Sequence, residues 1–60
     1  MNVKIFYRIT QDRAGIPMDY TGARRFDVQD PEQAAEAARS ELAQDYQVPV
    51  SAVEIARIEH

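Results

Sequence analysis

The segment FDVQDPEQAAEAARSELAQDYQVPVS, residues 26–51, holds the end of a strand, a capped helix and a helix-terminating proline. Asp30 suits the N-cap, because its carboxylate can accept a hydrogen bond from an unpaired amide of the first turn. Pro31 suits the first helical position, since its φ angle is already close to helical. Pro49 prevents the helix from continuing and holds the residue before it in an extended conformation. The pattern therefore predicts a helix over about residues 31–46.

The alanines of this helix fall mainly on one side. On a helical wheel, one stripe holds Ala35, Ala38, Leu42 and Tyr46, with Ala34 at its edge. Small side chains in such a stripe let a helix lie close against a thin sheet. The segment thus predicts a helix that packs on a sheet through small apolar residues.

Two strands are predicted before this helix. Residues 2–10, NVKIFYRIT, alternate between two faces and are rich in β-branched and aromatic residues, which is the pattern of a half-buried strand. Residues 11–19 contain Gly15 and Pro17 and predict a wide loop. Residues 20–29 then predict a second strand that returns along the first.

A third strand, over about residues 51–58, is predicted with an irregularity. In a regular strand Val53 and Ile55 face one side of the sheet and Ile58 faces the other. A bulge near Ala56, which adds one residue to the strand, brings all three side chains to the same side of the sheet. The whole chain therefore predicts a single small α+β domain of ββαβ type, with a three-stranded, mainly antiparallel sheet and one helix on one face. The order of the strands in the sheet stays open.

The short length makes the stability of this domain a question. A chain of 60 residues buries only about 60% of its unfolded surface, so such domains usually need disulfides, a metal or association. The sequence has no cysteine, which excludes disulfides, and His60 is its one histidine, which leaves no ligand set for zinc. Self-association or docking on a larger partner is therefore expected, with a homodimer as one form of it.

Catalytic and targeting motifs are not found in the sequence. There is no cysteine nucleophile, no phosphate-binding glycine loop and no calcium-loop spacing, and we expect a non-enzymatic protein without a cofactor or metal. No apolar segment has the form of a signal peptide or the length of a membrane span. We therefore expect a cytoplasmic protein with no membrane partner.

Charge is distributed unevenly along the chain. Residues 1–26 carry five basic and two acidic side chains, a net +3, whereas residues 27–60 carry two basic and eight acidic ones, a net −6. On the helix the acids form two ridges beside the apolar stripe: Glu32 and Glu36, and Glu41 and Asp45. Such ridges can steer association with a basic groove, so these four residues are the candidate contact with a larger protein or nucleoprotein complex. The simpler interpretation is a solvated helix boundary.

The face of the sheet away from the helix is the alternative surface. Lys4, Phe6 and Arg8 share that face of the first strand, and Arg25 lies on the corresponding face of the second. Sheets with aromatic residues between basic ones stack bases in several RNA-binding domains. A nucleic-acid-binding module is therefore the alternative function, although the net charge of −3 argues against it. A third hypothesis is a self-assembling accessory protein, in which the basic hairpin meets the acidic helix of a neighbour.

Two resemblances bear on function. The segment FDVQDPEQAAEAARSELA resembles the strand-to-helix passage of HicB-type antitoxins, in which a capping residue precedes an amphipathic helix rich in glutamate and alanine; the matching positions are Asp30, Glu32, Ala34, Ala35, Ala38 and Leu42. In size, charge and lack of catalytic residues the chain also resembles small acidic proteins of phages and mobile elements, among them anti-CRISPR proteins. Both resemblances imply a protein that binds and inhibits a larger partner.

Overall fold

The computed structural model describes residues 1–59, and His60 lies outside the described residues. The elements in chain order are β1 (Asn2–Gln11), β2 (Pro17–Asp27), α1 (Ala34–Tyr46) and β3 (Val53–Glu59), with single 3-10 turns at Pro31–Gln33 and Val50–Ala52. All strand pairs are antiparallel. In the described part of the chain, a three-stranded sheet and one helix confirm the predicted ββαβ fold.

The first strand forms the centre of the sheet, whose order is β2-β1-β3. A central strand that packs one face against a helix needs apolar residues at every second position, and the sequence of β1 has them. Its four core-side residues are all buried: Val3, Ile5, Tyr7 and Ile9. Because both neighbours are antiparallel to β1, β2 and β3 run in the same direction and lie at opposite edges of the sheet.

The connection between β1 and β2 is tighter than the sequence predicts. Asp12 closes it, because its carboxylate Oδ1 accepts hydrogen bonds from the amides of Ala14 and Ile16, both at 2.9 Å. Gly15 takes a φ of 83°, a left-handed conformation that glycine adopts without strain. As a result β2 begins at Pro17, before the predicted start near residue 20, and the loop is shorter than the predicted 11–19.

The predicted bulge in β3 is confirmed. Phe6 pairs with Arg57 and Tyr7 pairs with Ile55, so Ala56 has no partner on β1. The extra residue turns the strand and places Ile58 opposite the buried Ile5. The apolar residues of β3 therefore reach the helix side of the sheet despite their irregular spacing.

The helix packs on the sheet through small residues, as predicted, but the buried stripe differs in detail. Ala34, Ala38 and Leu42 are fully buried, whereas Ala35 is only half-buried. Ala43 is buried as well, because the chain folds back after the helix and the amide of Val48 donates to the Ala43 carbonyl at 3.0 Å. The helical wheel did not include this return of the chain and so left out Ala43, and Ala34, which the wheel places at the edge of the stripe, is fully buried.

The helix does not cover the sheet evenly. It lies over β3 and β1 and has little contact with β2. The helix-side face of β2 is therefore open over part of its length, and Met18 and Tyr20 are 37% and 44% exposed there. This open strip leaves room for the tyrosine cluster described below.

Candidate interaction surfaces

The acidic helix surface comprises Glu32, Glu36, Glu41 and Asp45, and local backbone signals fix its position. The Asp30 carboxylate accepts a hydrogen bond from the amide of Glu32 at 3.0 Å, which satisfies a free donor of the first turn. Glu32 then lies near the positive end of the helix dipole, where a carboxylate is stabilised. The helix ends at Gln47, whose φ of 57° is a left-handed C-cap.

Three of these carboxylates have no ion-pair partner in the described part of the chain. Glu32, Glu36 and Glu41 are exposed, and none of them lies within ion-pair distance of a cation in residues 1–59. Asp45 differs, because it forms an ion pair with Arg24 of β2. All four predicted residues are exposed, on two ridges of the helix, but the structure engages Asp45 in an internal contact with Arg24.

A shallow depression lies beside the ridge formed by Glu32 and Glu36. It is bordered by Glu32 and Glu36 and floored by small or uncharged residues, Gln33, Ala37 and Ser40. The absence of bulky side chains between the ridges leaves the carboxylates accessible from above the helix. A cationic side chain of a partner can enter beside Glu32 and Glu36 without displacing an internal contact.

The alternative surface, on the outer face of the sheet, is arranged around Phe6. The Cζ atom of Arg57 lies 4.3 Å from the centre of the Phe6 ring, and Nζ of Lys4 lies 5.2 Å from it. Both cations are within the range of cation–π attraction. Phe6 is consequently half-buried under charged side chains, which leaves less of its ring open for base stacking than the sequence suggests.

Most charges on the outer face are matched within the fold. Arg8 lies between two carboxylates, with Nε 2.8 Å from Asp19 Oδ1 and Nη1 4.0 Å from Glu54 Oε1. Arg57 also pairs with Glu59, at 2.8 Å. Arg25 faces Lys4 in the β1–β2 register and has no carboxylate partner among the described residues. Lys4, Phe6, Arg8 and Arg25 do share one face, as predicted, but this face is close to charge balance.

A third surface, which sequence reasoning did not identify, is a cluster of three tyrosines on the open strip of β2. The ring centres of Tyr7, Tyr20 and Tyr46 lie 5.9–6.4 Å apart. The hydroxyl oxygens of Tyr7 and Tyr46 are 2.8 Å apart and share a hydrogen bond. Three aromatic rings at these spacings form favourable tilted contacts and join β1, β2 and the end of α1.

The Arg24–Asp45 ion pair lies beside this cluster and links β2 to the helix. The pair raises the pKa of the Arg24 guanidinium above its ordinary value, mainly through its hydrogen bond to Asp45. The side chains are 35% and 51% exposed, so the pair is screened by solvent and contributes about 1 kcal/mol or less to stability.

The sequence does contain a signal for the surface formed by the tyrosine cluster and this ion pair, since Tyr20, Gly22, Arg24 and Phe26 alternate onto one face of β2.

An open groove of about 450 Å³ continues from the tyrosine cluster toward the hairpin turn. Its walls include Met18 of β2, Tyr46 and Gln47 at the helix end, and Arg13 of the turn. The Arg13 guanidinium donates to the Gln47 side-chain oxygen at 3.0 Å, and both residues line the groove. Its lining combines apolar side chains, among them Ile9, Met18 and Val48, with polar and charged ones.

The hydroxyl contact between Tyr7 and Tyr46 predicts a pH dependence of stability. The hydrogen bond to Tyr7, followed by burial, raises the pKa of Tyr46 above its ordinary value near 10. The protonated phenol is therefore favoured in the folded state, and its stabilising effect is complete below pH 10 and decreases as the pH rises through the folded-state pKa. We expect Tyr46→Phe to cost about 0.5–1.5 kcal/mol at neutral pH and to reduce the loss of stability above pH 10.

Urea unfolding of both proteins across the alkaline range measures this effect, and ultraviolet titration of tyrosinate follows ionisation directly. Tyr20→Phe is a useful comparison, because contact with the Tyr46 hydroxyl raises the pKa of Tyr20 but its ring is more exposed. Equal alkaline stability profiles for the wild type and Tyr46→Phe would show that the Tyr46 hydroxyl is not coupled to folding.

Residues 1–59 contain no group of three or more side chains placed to hold a metal ion. No helix in the same part of the chain is both long and apolar enough to cross a membrane. Comparisons of the chain with protein-family models, with curated proteins and with solved structures give no match.

Proposed function

We propose that this protein is a non-catalytic binding protein that inhibits a larger protein or nucleoprotein complex by placing its acidic helix surface in a basic groove. The observation that carries the proposal is the difference between the two faces. On the helix, Glu32, Glu36 and Glu41 have no cationic partner in residues 1–59, whereas the carboxylates of the outer sheet face are mostly paired. Among residues 1–59, the carboxylates without an ion-pair partner are therefore concentrated on the helix.

The physical basis of recognition is electrostatic. Carboxylates that are already solvated and unpaired gain a partner on binding without losing an internal one, so the attraction to a basic groove is not offset by broken contacts. The capped helix holds the two ridges in fixed positions, which limits the conformational entropy lost on association. A groove that normally receives nucleic acid has the positive charge that this surface requires.

In this proposal, occupying the basic groove is sufficient to inhibit the partner. A compact domain held in a basic groove excludes other anionic ligands from the same groove. This role is the one implied by the resemblance to antitoxins and to small inhibitors of phages and mobile elements. In this proposal the chain itself performs no chemistry and needs no cofactor.

Affinity capture tests the proposal. The tagged protein is incubated at low salt with a lysate of the organism that encodes it, in parallel with and without nuclease. We expect a protein partner that is retained after nuclease treatment and released as salt is raised, because exposed charge pairs are screened by salt. Capture that disappears with nuclease would contradict the proposal and favour nucleic-acid binding by the outer sheet face.

A further inference from the structure

We propose that β2 is a homodimerisation edge, through which two copies of the chain join their sheets into one continuous antiparallel sheet of six strands. This inference goes beyond the proposed function, because it concerns the edge of the sheet and leaves the acidic helix surface free. Its basis is the exposure of β2, the contrast with β3, and the complementarity of β2 with a second copy of itself.

The outer side of β2 is an unprotected strand edge. β2 spans eleven residues, Pro17–Asp27, and pairs with β1 on one side only. Its pairing with β1 is regular from Asp27 to Tyr20, and the register shifts by one residue between Tyr20 and Pro17. A long, regular edge offers a row of backbone donors and acceptors to another strand, and natural proteins normally shorten or distort such edges.

The opposite edge is protected in this way. β3 has seven residues, carries the bulge at Ala56, and bears Glu54, Arg57 and Glu59 on its outer face. A bulge in the middle of the ladder disfavours strand addition, and β3 is also four residues shorter than β2. The difference between the two edges points to β2 as the one available for pairing.

The sequence of β2 is complementary to itself about Gly22. With a two-fold axis at this residue, Thr21 lies opposite the partner's Ala23, and Asp19 lies opposite the partner's Arg25. On the helix side, Tyr20 lies opposite the partner's Arg24, a combination that allows cation–π contact. By symmetry each of these pairs occurs twice in the dimer.

The charges select this register over its neighbours. Sliding one strand by two residues places Asp19 opposite either the partner's Asp27, which is repulsive, or the partner's Ala23, which is neutral. A slide by one residue places the two helices on opposite faces of the joined sheet, which the two-fold axis of an antiparallel strand pair does not allow. Arg25, which has no carboxylate partner in residues 1–59, gains one in the proposed register.

The geometry on both faces allows this approach. α1 lies over β3 and β1 and has little contact with β2, so the helix does not extend over the β2 edge. Met18 and Tyr20 are 37% and 44% exposed in the monomer and become partly covered by the partner's strand. Asp19 already contacts Arg8, but its side chain is 71% exposed and can accept a second guanidinium.

Charge exchange tests both the dimer and its register. Sedimentation equilibrium over a concentration series is expected to give a dimer for the wild type. Arg25→Asp places two carboxylates opposite each other, and Asp19→Arg places two guanidinium groups opposite each other, so each is expected to raise the dimer Kd about tenfold or more. An equal mixture of the two variants is expected to recover tight association as a heterodimer, because each then supplies the charge that the other lacks.

Arg57→Asp is the matched control, since it makes the same charge change on the same face at the β3 edge. It is expected to leave the dimer Kd unchanged, and circular dichroism of each variant confirms folding. A wild type that stays monomeric throughout the series would overturn the proposal. So would single variants that do not weaken the dimer, or a mixture that does not form the heterodimer.

Discussion

Replacing Leu42 by alanine is expected to remove most of the stability of this protein. Leu42 is fully buried and is the largest apolar side chain that α1 places wholly in the core. Truncation of a buried leucine costs about 2–5 kcal/mol, because the lost transfer free energy adds to that of the cavity left behind. A domain of 60 residues has a total stability of roughly 3–9 kcal/mol.

The neighbouring residues of Leu42 offer little compensation. Ala34, Ala38 and Ala43, the other buried helix residues, are too small to fill the cavity. Urea or thermal unfolding followed by circular dichroism measures the effect, and Gln44→Ala, at an exposed position of the same helix, is the control. A loss below about 1 kcal/mol for Leu42→Ala would show that the helix is not held to the sheet by this side chain.

Replacing Gly22 by valine is expected to destabilise the fold by about 1–3 kcal/mol, although valine favours strands. Gly22 pairs with Tyr7, and a Cβ atom at Gly22 would lie 2.8 Å from the Tyr7 hydroxyl oxygen and 2.9 Å from its Cζ. The Tyr7 ring is buried and its hydroxyl bonds to Tyr46, so it cannot move aside freely. The ring thus occupies the space that the glycine leaves open.

The adjacent residue provides the control. Ala23 is exposed on the outer face of the same strand, so Ala23→Val adds the same kind of side chain without meeting the tyrosine cluster. We expect Ala23→Val to be neutral or slightly stabilising in equilibrium unfolding. Equal stability of Gly22→Val and Ala23→Val would contradict the prediction, because it would show that strand propensity, and not the close contact with Tyr7, determines the stability of the Gly22 variant.

The fold could be predicted because its main signals are local. The alternation of β1, the Asp30 cap and the terminating Pro49 each depend on a few neighbouring residues, and the structure has a strand, a cap and a chain reversal at these places. Even the bulge at Ala56 follows from the spacing of Ile55 and Ile58. These features need no knowledge of how distant parts of the chain meet.

The remaining features depend on tertiary placement. Asp45 was predicted to face a partner, but the helix lies where Asp45 reaches Arg24, and no local pattern fixes that distance. Tyr20 and Tyr46 meet for the same reason. The central position of β1 also requires knowing which strand edges pair. The sequence therefore predicts the helix and the strands themselves, and it does not determine the contacts between them.

The engagement of Asp45 changes how the proposed binding surface should be altered. Reversing Asp45 would disturb the contact with Arg24, so a loss of binding could arise from a change in the fold. Glu36 and Glu41 are exposed, one on each ridge, and have no ion-pair partner in residues 1–59. They are the residues whose reversal changes the surface charge and leaves the described ion pairs intact.

The most direct test of the proposed function is the affinity of the captured partner for the double variant Glu36→Lys with Glu41→Lys. The control is Glu54→Lys with Glu59→Lys, which makes the same change in net charge on the outer face of the sheet; it removes the ion pairs to Arg8 and Arg57, so circular dichroism first has to show that this variant keeps the wild-type fold. We expect the helix variant to lose binding by about a hundredfold or more, as for the loss of close charge pairs at an interface, and the sheet variant to bind within a few-fold of the wild type. Equal affinity of the helix variant and the wild type would contradict the assignment of the acidic helix as the binding surface.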